Sequence, residues 1–131
     1  MNGFTLHLLA ADRSERIDGV MSFIGEDKSG SFGLLPNHER FMTVLGFGLA
    51  RVRGANDRWE YLGFPGGLLY FLDNNCRIST RRYLRDTDVT RIAQALSREM
   101  VEEERALEET RHKLHRLEAE MLKRLGELGR E

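Results

Sequence analysis

Between Asp88 and Leu125 the chain has neither glycine nor proline, and after Tyr83 it has no aromatic residue. All seven Phe, all three Tyr and the one Trp fall at or before Tyr83, with both prolines and 11 of the 13 glycines in residues 1–87. A chain so divided cannot be one uniform fold. The tail is built for helix, and the head, dense in turn formers and ring side chains, reads as short strands. The change falls at Arg85-Asp86-Thr87-Asp88. It makes residues 1–87 one domain and 88–131 another.

In the head, Phe4, Leu6 and Leu8 alternate with Thr5 and His7, the period-two pattern of a half-buried strand. Val20–Ile24, Phe41–Leu45, Leu49–Arg53, Trp59–Leu62, Leu68–Leu72 and Arg77–Thr80 are the other candidates. Turn formers separate them at Gly54-Ala55-Asn56-Asp57 and at Asp73-Asn74-Asn75, where Asn and Asp tolerate positive φ. The glycine-dense run Gly30–Gly33 reads as a turn, either simply a tight one or one that lets backbone approach a partner closely. Many short strands at close spacing predict an antiparallel sandwich or barrel.

In the tail, Thr87 or Asp88 can cap the start of a helix. Leu96, Met100, Leu107, Leu114, Leu117, Met121 and Leu128 form one apolar stripe. Five of these keep a strict seven-residue interval, but the companion heptad position reads Leu96, Glu103, Thr110, Leu117, Arg124. A self-sufficient coiled coil wants both positions apolar, so the stripe is suited to packing on the sandwich or on a partner.

Little here can do covalent chemistry. With 20 Lys and Arg against 21 Asp and Glu, the chain lacks the strongly basic character that nucleic-acid binding needs. The lone Cys76 rules out an internal disulfide and fits a reducing compartment. The Met1-Asn2-Gly3-Phe4 start lacks the features of a signal peptide, and no apolar run is long enough to span a bilayer. Gly63-Phe64-Pro65-Gly66-Gly67 lacks the Lys-Ser/Thr ending of a phosphate loop. His112 and His115 lie off the stripe among cations, which disfavours a metal. The expectation is therefore no catalytic residue, no cofactor and no metal. Two function classes stand: a structural or regulatory subunit of an assembly, and a non-enzymatic coiled-coil adaptor or scaffold.

Gly30-Ser31-Phe32-Gly33-Leu34-Leu35-Pro36-Asn37-His38 resembles the epsilon subunit of F-type ATP synthases. So do Gly48-Leu49-Ala50-Arg51-Val52, Pro65-Gly66-Gly67-Leu68-Leu69 and Ile17-Asp18-Gly19-Val20, all in the family's order. Ser31 stands where that family usually has an acidic residue, Asn37 where it has glycine, and Pro65 where it has serine. Stretches such as Ser79–Asp86 and Leu114–Glu118 are more similar to the alternate branch that some bacteria and archaea carry beside a main synthase. The transported ion, sodium or proton, is chosen there by the c subunit.

The resemblance implies a flattened antiparallel β-sandwich followed by an α-helical segment, either one long helix or a helical hairpin. It implies a central-stalk rotor subunit at the cytoplasmic face of the cell membrane, bound to the gamma subunit and the ring of c subunits. It further implies that the helical segment rises toward a catalytic beta subunit and restrains ATP hydrolysis. Partner contacts are expected at Ser31 and His38, at the boundary cluster Arg81, Arg82 and Arg85, and at Arg116, Lys123 and Arg124 on the helix. Of the ATP-binding motif that some members carry, only Asp88 and Arg91 are matched, so nucleotide binding is not expected.

Overall fold

Alternation of apolar and polar side chains sets most of the strands. The structure is a computed structural model and describes residues 3–129; Met1 and Asn2, which form part of the start considered above, lie outside it. The strands are β1 (Phe4–Leu9), β2 (Ser14–Asp27), β3 (Gly30–Leu34), β4 (Phe41–Leu45), β5 (Gly48–Gly54), β6 (Trp59–Phe64), β7 (Gly67–Leu72), β8 (Asn75–Ser79) and β9 (Leu84–Asp86). One helix follows, α1 (Val89–Leu128). This is the β-sandwich with a helical tail, and the tail is a single helix rather than a hairpin.

The strands pair in the order β1-β8-β7-β4-β2-β5-β6-β9, with β3 on β2 and a further pairing of β1 with β2. All pairs are antiparallel except β1–β8, which runs parallel. Between the layers lie Leu6, Leu8, Leu69, Phe71 and Ile78 from one side and Val20, Phe23, Val52, Leu62 and Phe64 from the other, all 5% exposed or less. Each such side chain contributes about 1.5–3 kcal/mol by leaving water. Cys76 is among them, and burial pushes its thiol pKa up to about 12, which makes it an inert core residue.

Two segments differ from the expectation. Gly30–Gly33 lies in strand β3, paired with Asp27, Glu26, Gly25 and Ile24 of β2, and is not a turn. The turn lies two residues earlier, where the Asp27 carboxylate accepts hydrogen bonds from the Ser29 N–H and hydroxyl. Strand β2 is also far longer than Val20–Ile24. It bends near Gly19, at φ +68°, with register shifts on both its neighbours close by. That bend breaks the simple alternation that would reveal the full strand. The Asp73-Asn74 hairpin is as expected, both residues in the left-handed region at φ 49° and 57°.

Asp88 is the residue that caps α1: its carboxylate accepts from the N–H groups of Thr90 and Arg91 at 2.9 and 3.2 Å. The Asp86 carboxylate, one turn back, receives both the Nε and an Nη of Arg91 at 2.6 Å. Ile92 and Leu96 are buried, and a Cβ on Gly63 of β6 would come within 3.2 Å of Leu96 Cδ1. A side chain there would press on the Leu96 methyl, so glycine eases the close approach of the helix. One compact unit accordingly extends to Leu96, and a second begins at Ser97. In the second unit Met100, Leu107, Leu114, Leu117, Met121 and Leu128 are all exposed.

These contacts separate the root of α1 from its length. Leu96→Ala should lower unfolding stability in urea by about 2–4 kcal/mol, and Asp88→Ala by about 1 kcal/mol. Leu107→Ala, at an exposed position, should leave the midpoint nearly unchanged.

Candidate docking face

Strands β4 and β7 are apolar on both faces. Phe41, Thr43 and Leu45 on β4 stand opposite Phe71, Leu69 and Gly67 on β7 and point inward. Between them, Met42 faces Tyr70 and Val44 faces Leu68, and these point outward. Met42, Val44 and Leu68 are 58, 66 and 45% exposed, and Leu72 on the same face is 38% exposed. A sheet face that merely met water would alternate toward polar side chains here. A contiguous apolar strip of this kind is the sort of surface that contacts with other proteins cover.

His38 supports this strip from behind. Its ring packs edge-on against Phe41 and Phe71, with centroids at 5.8 and 5.7 Å. Phe71 meets Phe4 in the same way and Phe41 meets Phe32 at a tilt of 50°, so rings run continuously through the layer. The His38 Nδ1 lies 2.8 Å from the Glu39 carbonyl, which can only accept, so the ring is protonated at Nδ1. Asn37 takes φ 69° in the preceding turn. Its N–H donates to the Asn74 side-chain oxygen at 2.6 Å, and the Asn74 amide donates back to the Asn37 side-chain oxygen at 2.9 Å. The turn is thereby fastened to the β7–β8 hairpin.

The other expected contact residues do not gather in one place. Ser31 is exposed on β3, opposite Glu26. Beside it, Glu26, Asp27, Lys28, Gly46, Phe47 and Phe64 help line a recess of about 200 Å³ at one end of the sandwich. Arg81 and Arg82 are exposed between β8 and β9. Arg85 lies exposed on the sandwich surface, where its guanidinium binds Glu15 of β2 at 2.7 Å and both carboxylate oxygens of Glu60 of β6. Arg116, Lys123 and Arg124 are exposed on the second unit. Asp88 and Arg91 are engaged as cap and as partner of Asp86.

Around Arg85 a short network forms. The buried Tyr83 hydroxyl donates to Glu15 at 2.6 Å, and the Arg13 guanidinium lies 4.1 Å over the Tyr83 ring while donating to the Tyr83 carbonyl. The Tyr83 hydrogen bond, with help from Arg85, holds the Glu15 carboxyl below its ordinary pKa. Burial, and then the bond to Glu15, pushes the Tyr83 phenol up to about 12. Among the described residues, no group of three or more His, Cys, Asp and Glu is arranged to hold a metal, and no helix is long and apolar enough to cross a membrane.

The apolar strip of β4 and β7 escaped the sequence-based expectation, although its signal was present. Phe41-Met42-Thr43-Val44-Leu45 and Leu68-Leu69-Tyr70-Phe71-Leu72 carry apolar side chains at both parities, which marks strands covered on both sides.

A sequence profile of the ATP synthase delta/epsilon chain β-sandwich domain matches residues 3–86. The ATP synthase epsilon chain 2 of the bacterium Cereibacter sphaeroides is 29% identical over 109 residues, covering 82% of this chain and 75% of its own. The chloroplastic epsilon chain of Marchantia polymorpha is 32% identical over 73 residues, covering 56% of this chain and 53% of its own, so the match spans about half of that relative. A chain of the Euglena gracilis mitochondrial ATP synthase OSCP/F1/c-ring structure superposes with a TM-score of 0.61 at 20% identity, over 75% of this chain and 64% of that one. One of the Tetrahymena thermophila mitochondrial ATP synthase central stalk and c-ring structure gives 0.53 at 16%, over 64 and 69%. At those identities the two structures establish a shared fold.

The Tyr83–Glu15–Arg85 network yields a pH test with a definite sign. The folded pKa of Glu15 lies below its ordinary 4.5, so its contribution is complete above that pH and is lost as pH falls through the folded value. The folded pKa of Tyr83 lies above its ordinary 10.0, so its contribution is complete below pH 10 and is lost as pH rises toward 12. Urea midpoints followed across pH should show a shallower acid limb in Glu15→Gln and a shallower alkaline limb in Tyr83→Phe.

Proposed function

The chain belongs to the ATP synthase delta/epsilon family as an epsilon chain, and from that premise we propose how its surfaces work in the rotor. The outward face of β4 and β7 docks on the gamma subunit. The single observation that carries this is the uncovered strip of Met42, Val44, Leu68 and Leu72, on strands whose other face is already core. His38 acts from beneath, keeping β4 and the Pro36–Arg40 turn in shape for that contact. The end of the sandwich that carries Ser31 and the Lys28-Ser29 turn rests on the ring of c subunits, which holds the chain at the cytoplasmic face of the membrane.

A subunit of this kind passes torque from the ring to gamma while the catalytic sites remain on other chains. What it needs is stiffness and two interfaces, and the sandwich supplies a continuous core with every buried side-chain polar atom among the described residues satisfied. The rival adaptor function, with self-association through the helix, gives way to the epsilon assignment.

Helix α1 is proposed to act as a brake on ATP hydrolysis. Its exposed stripe offers apolar contacts, and Arg116, Lys123 and Arg124 offer cations to an acidic patch on a catalytic beta subunit. The structure shows where to cut to test this. Deletion after Thr87 would remove Ile92 and Leu96 and uncover Gly63, whereas deletion after Leu96 leaves the sandwich unit entire.

Two experiments follow. Val44→Lys and Leu68→Asp should each weaken binding of the full chain to gamma by more than about tenfold, since a buried unpaired charge costs well over 1.4 kcal/mol. Binding at wild-type strength in both would place the gamma contact elsewhere. The motor assembled with the chain ending at Leu96 should hydrolyse ATP faster than the motor with the full chain, with coupling intact. An unchanged rate would show that α1 is a strut and not a brake.

A further inference from the structure

The face that carries the apolar strip continues past β7 across β8 and β1. Met42 and Tyr70 are opposite one another, Tyr70 is opposite Arg77 of β8, and Arg77 is opposite His7 of β1. Partners across a ladder share a face, so these four side chains form one row. Arg16 of β2 ends it, opposite His7. The polar members differ in what already holds them. Arg16 is paired with Asp18 at 2.9 Å, and His7 Nε2 lies 3.1 Å from the Asn75 side-chain oxygen. Arg77 is exposed and engages no carboxylate among the described residues.

Beside Arg77 the face is concave. Tyr70, Leu72, Asp73, Asn75 and Arg77 line a recess of about 300 Å³ that opens next to the apolar strip. Asp73 is its one acid. It lies in the hairpin turn three residues beyond Tyr70, about 10 Å along the strand from the Tyr70–Arg77 pair. Asp73 would repel an anionic group on the hairpin side, which leaves the side of the strip, over Tyr70, as the favourable approach to Arg77.

We infer that this recess takes an Asp or Glu side chain of the gamma subunit, which pairs with the Arg77 guanidinium while the apolar side chains around it cover Met42, Val44 and Leu68. The inference rests on the docking proposed for β4 and β7 and adds the chemistry of the partner's surface. Charge complementarity at the border of an apolar contact sets register and partner choice, because a partner with a cation in that place leaves two like charges facing each other. A planar guanidinium suits a carboxylate in two-point contact, which lysine cannot reproduce.

The test measures affinity of the full chain for gamma at low and high salt. Wild type should lose affinity as salt rises, because the Arg77 contact is electrostatic. Arg77→Met keeps the apolar stem and removes the charge; it should bind about tenfold more weakly at low salt and show a much smaller salt dependence. Arg77→Lys should recover only part of the loss. Arg77→Met binding with wild-type strength and wild-type salt dependence would overturn the assignment. Val44→Lys separates the two claims: loss of binding there with an unaltered Arg77→Met refutes only the carboxylate contact, whereas wild-type binding by both refutes the docking face itself.

Discussion

The whole sandwich hangs on β2. This one strand pairs with β1 through Ser14–Val20, with β5 through Val20–Ile24, with β3 through Phe23–Asp27 and with β4 at Asp27. No other strand touches both layers to that extent. To do so it must bend, and it bends at Gly19 with register shifts against β1 and β5. The bend turns Val20 and Phe23 into the core while letting each end follow a different layer. Everything the outer faces can do follows from that closure, because it decides which side of β4, β7, β5 and β6 looks outward.

The two outer faces have different fates. On β6, Gly63 and the apolar pair Ile92 and Leu96 show one face covered by the root of the chain's own helix. On β4 and β7 no element of the sandwich unit covers Met42, Val44 and Leu68. A monomer gains nothing from such exposure, and the natural account is that assembly supplies the cover. The Asn37–Asn74 amide pair and the rings around His38 keep that face stiff at its edge, where the Pro36–Arg40 turn meets the β7–β8 hairpin. Stiffness matters in a rotor part, since a compliant contact would store torque rather than pass it on.

Much of the architecture was legible in the residues. The break in composition near residue 87, the hairpin at Asp73-Asn74, the tolerance of Asn37 for positive φ and the capping role of Asp88 each follow from local chemistry that the structure realises. What was not legible depended on tertiary pairing. Gly30–Gly33 has the composition of a turn and becomes strand β3 because β2 offers it an edge. Leu84–Asp86 is too short to announce itself and becomes β9 against β6. Arg85 was expected at a partner contact, and its pairing with Glu15 and Glu60, both distant in sequence, could not be read locally. The helix start was clear, but the point where the sandwich unit ends, at Leu96, was not, because it depends on Ile92 and Leu96 packing by Gly63 of β6, a residue distant in sequence.

The central claim is that the outward face of β4 and β7 is the surface that meets gamma. Hydroxyl-radical footprinting of the full chain, alone and in complex with gamma, tests it directly because oxidisable side chains lie on both outer faces. Met42, Leu68 and Tyr70 mark the proposed contact, and Trp59 and Tyr61 mark the β5–β6 side. The account predicts that gamma suppresses oxidation at Met42, Leu68 and Tyr70 and leaves Trp59 and Tyr61 as reactive as before. Protection of Trp59 and Tyr61 with Met42 and Leu68 still fully reactive would contradict it.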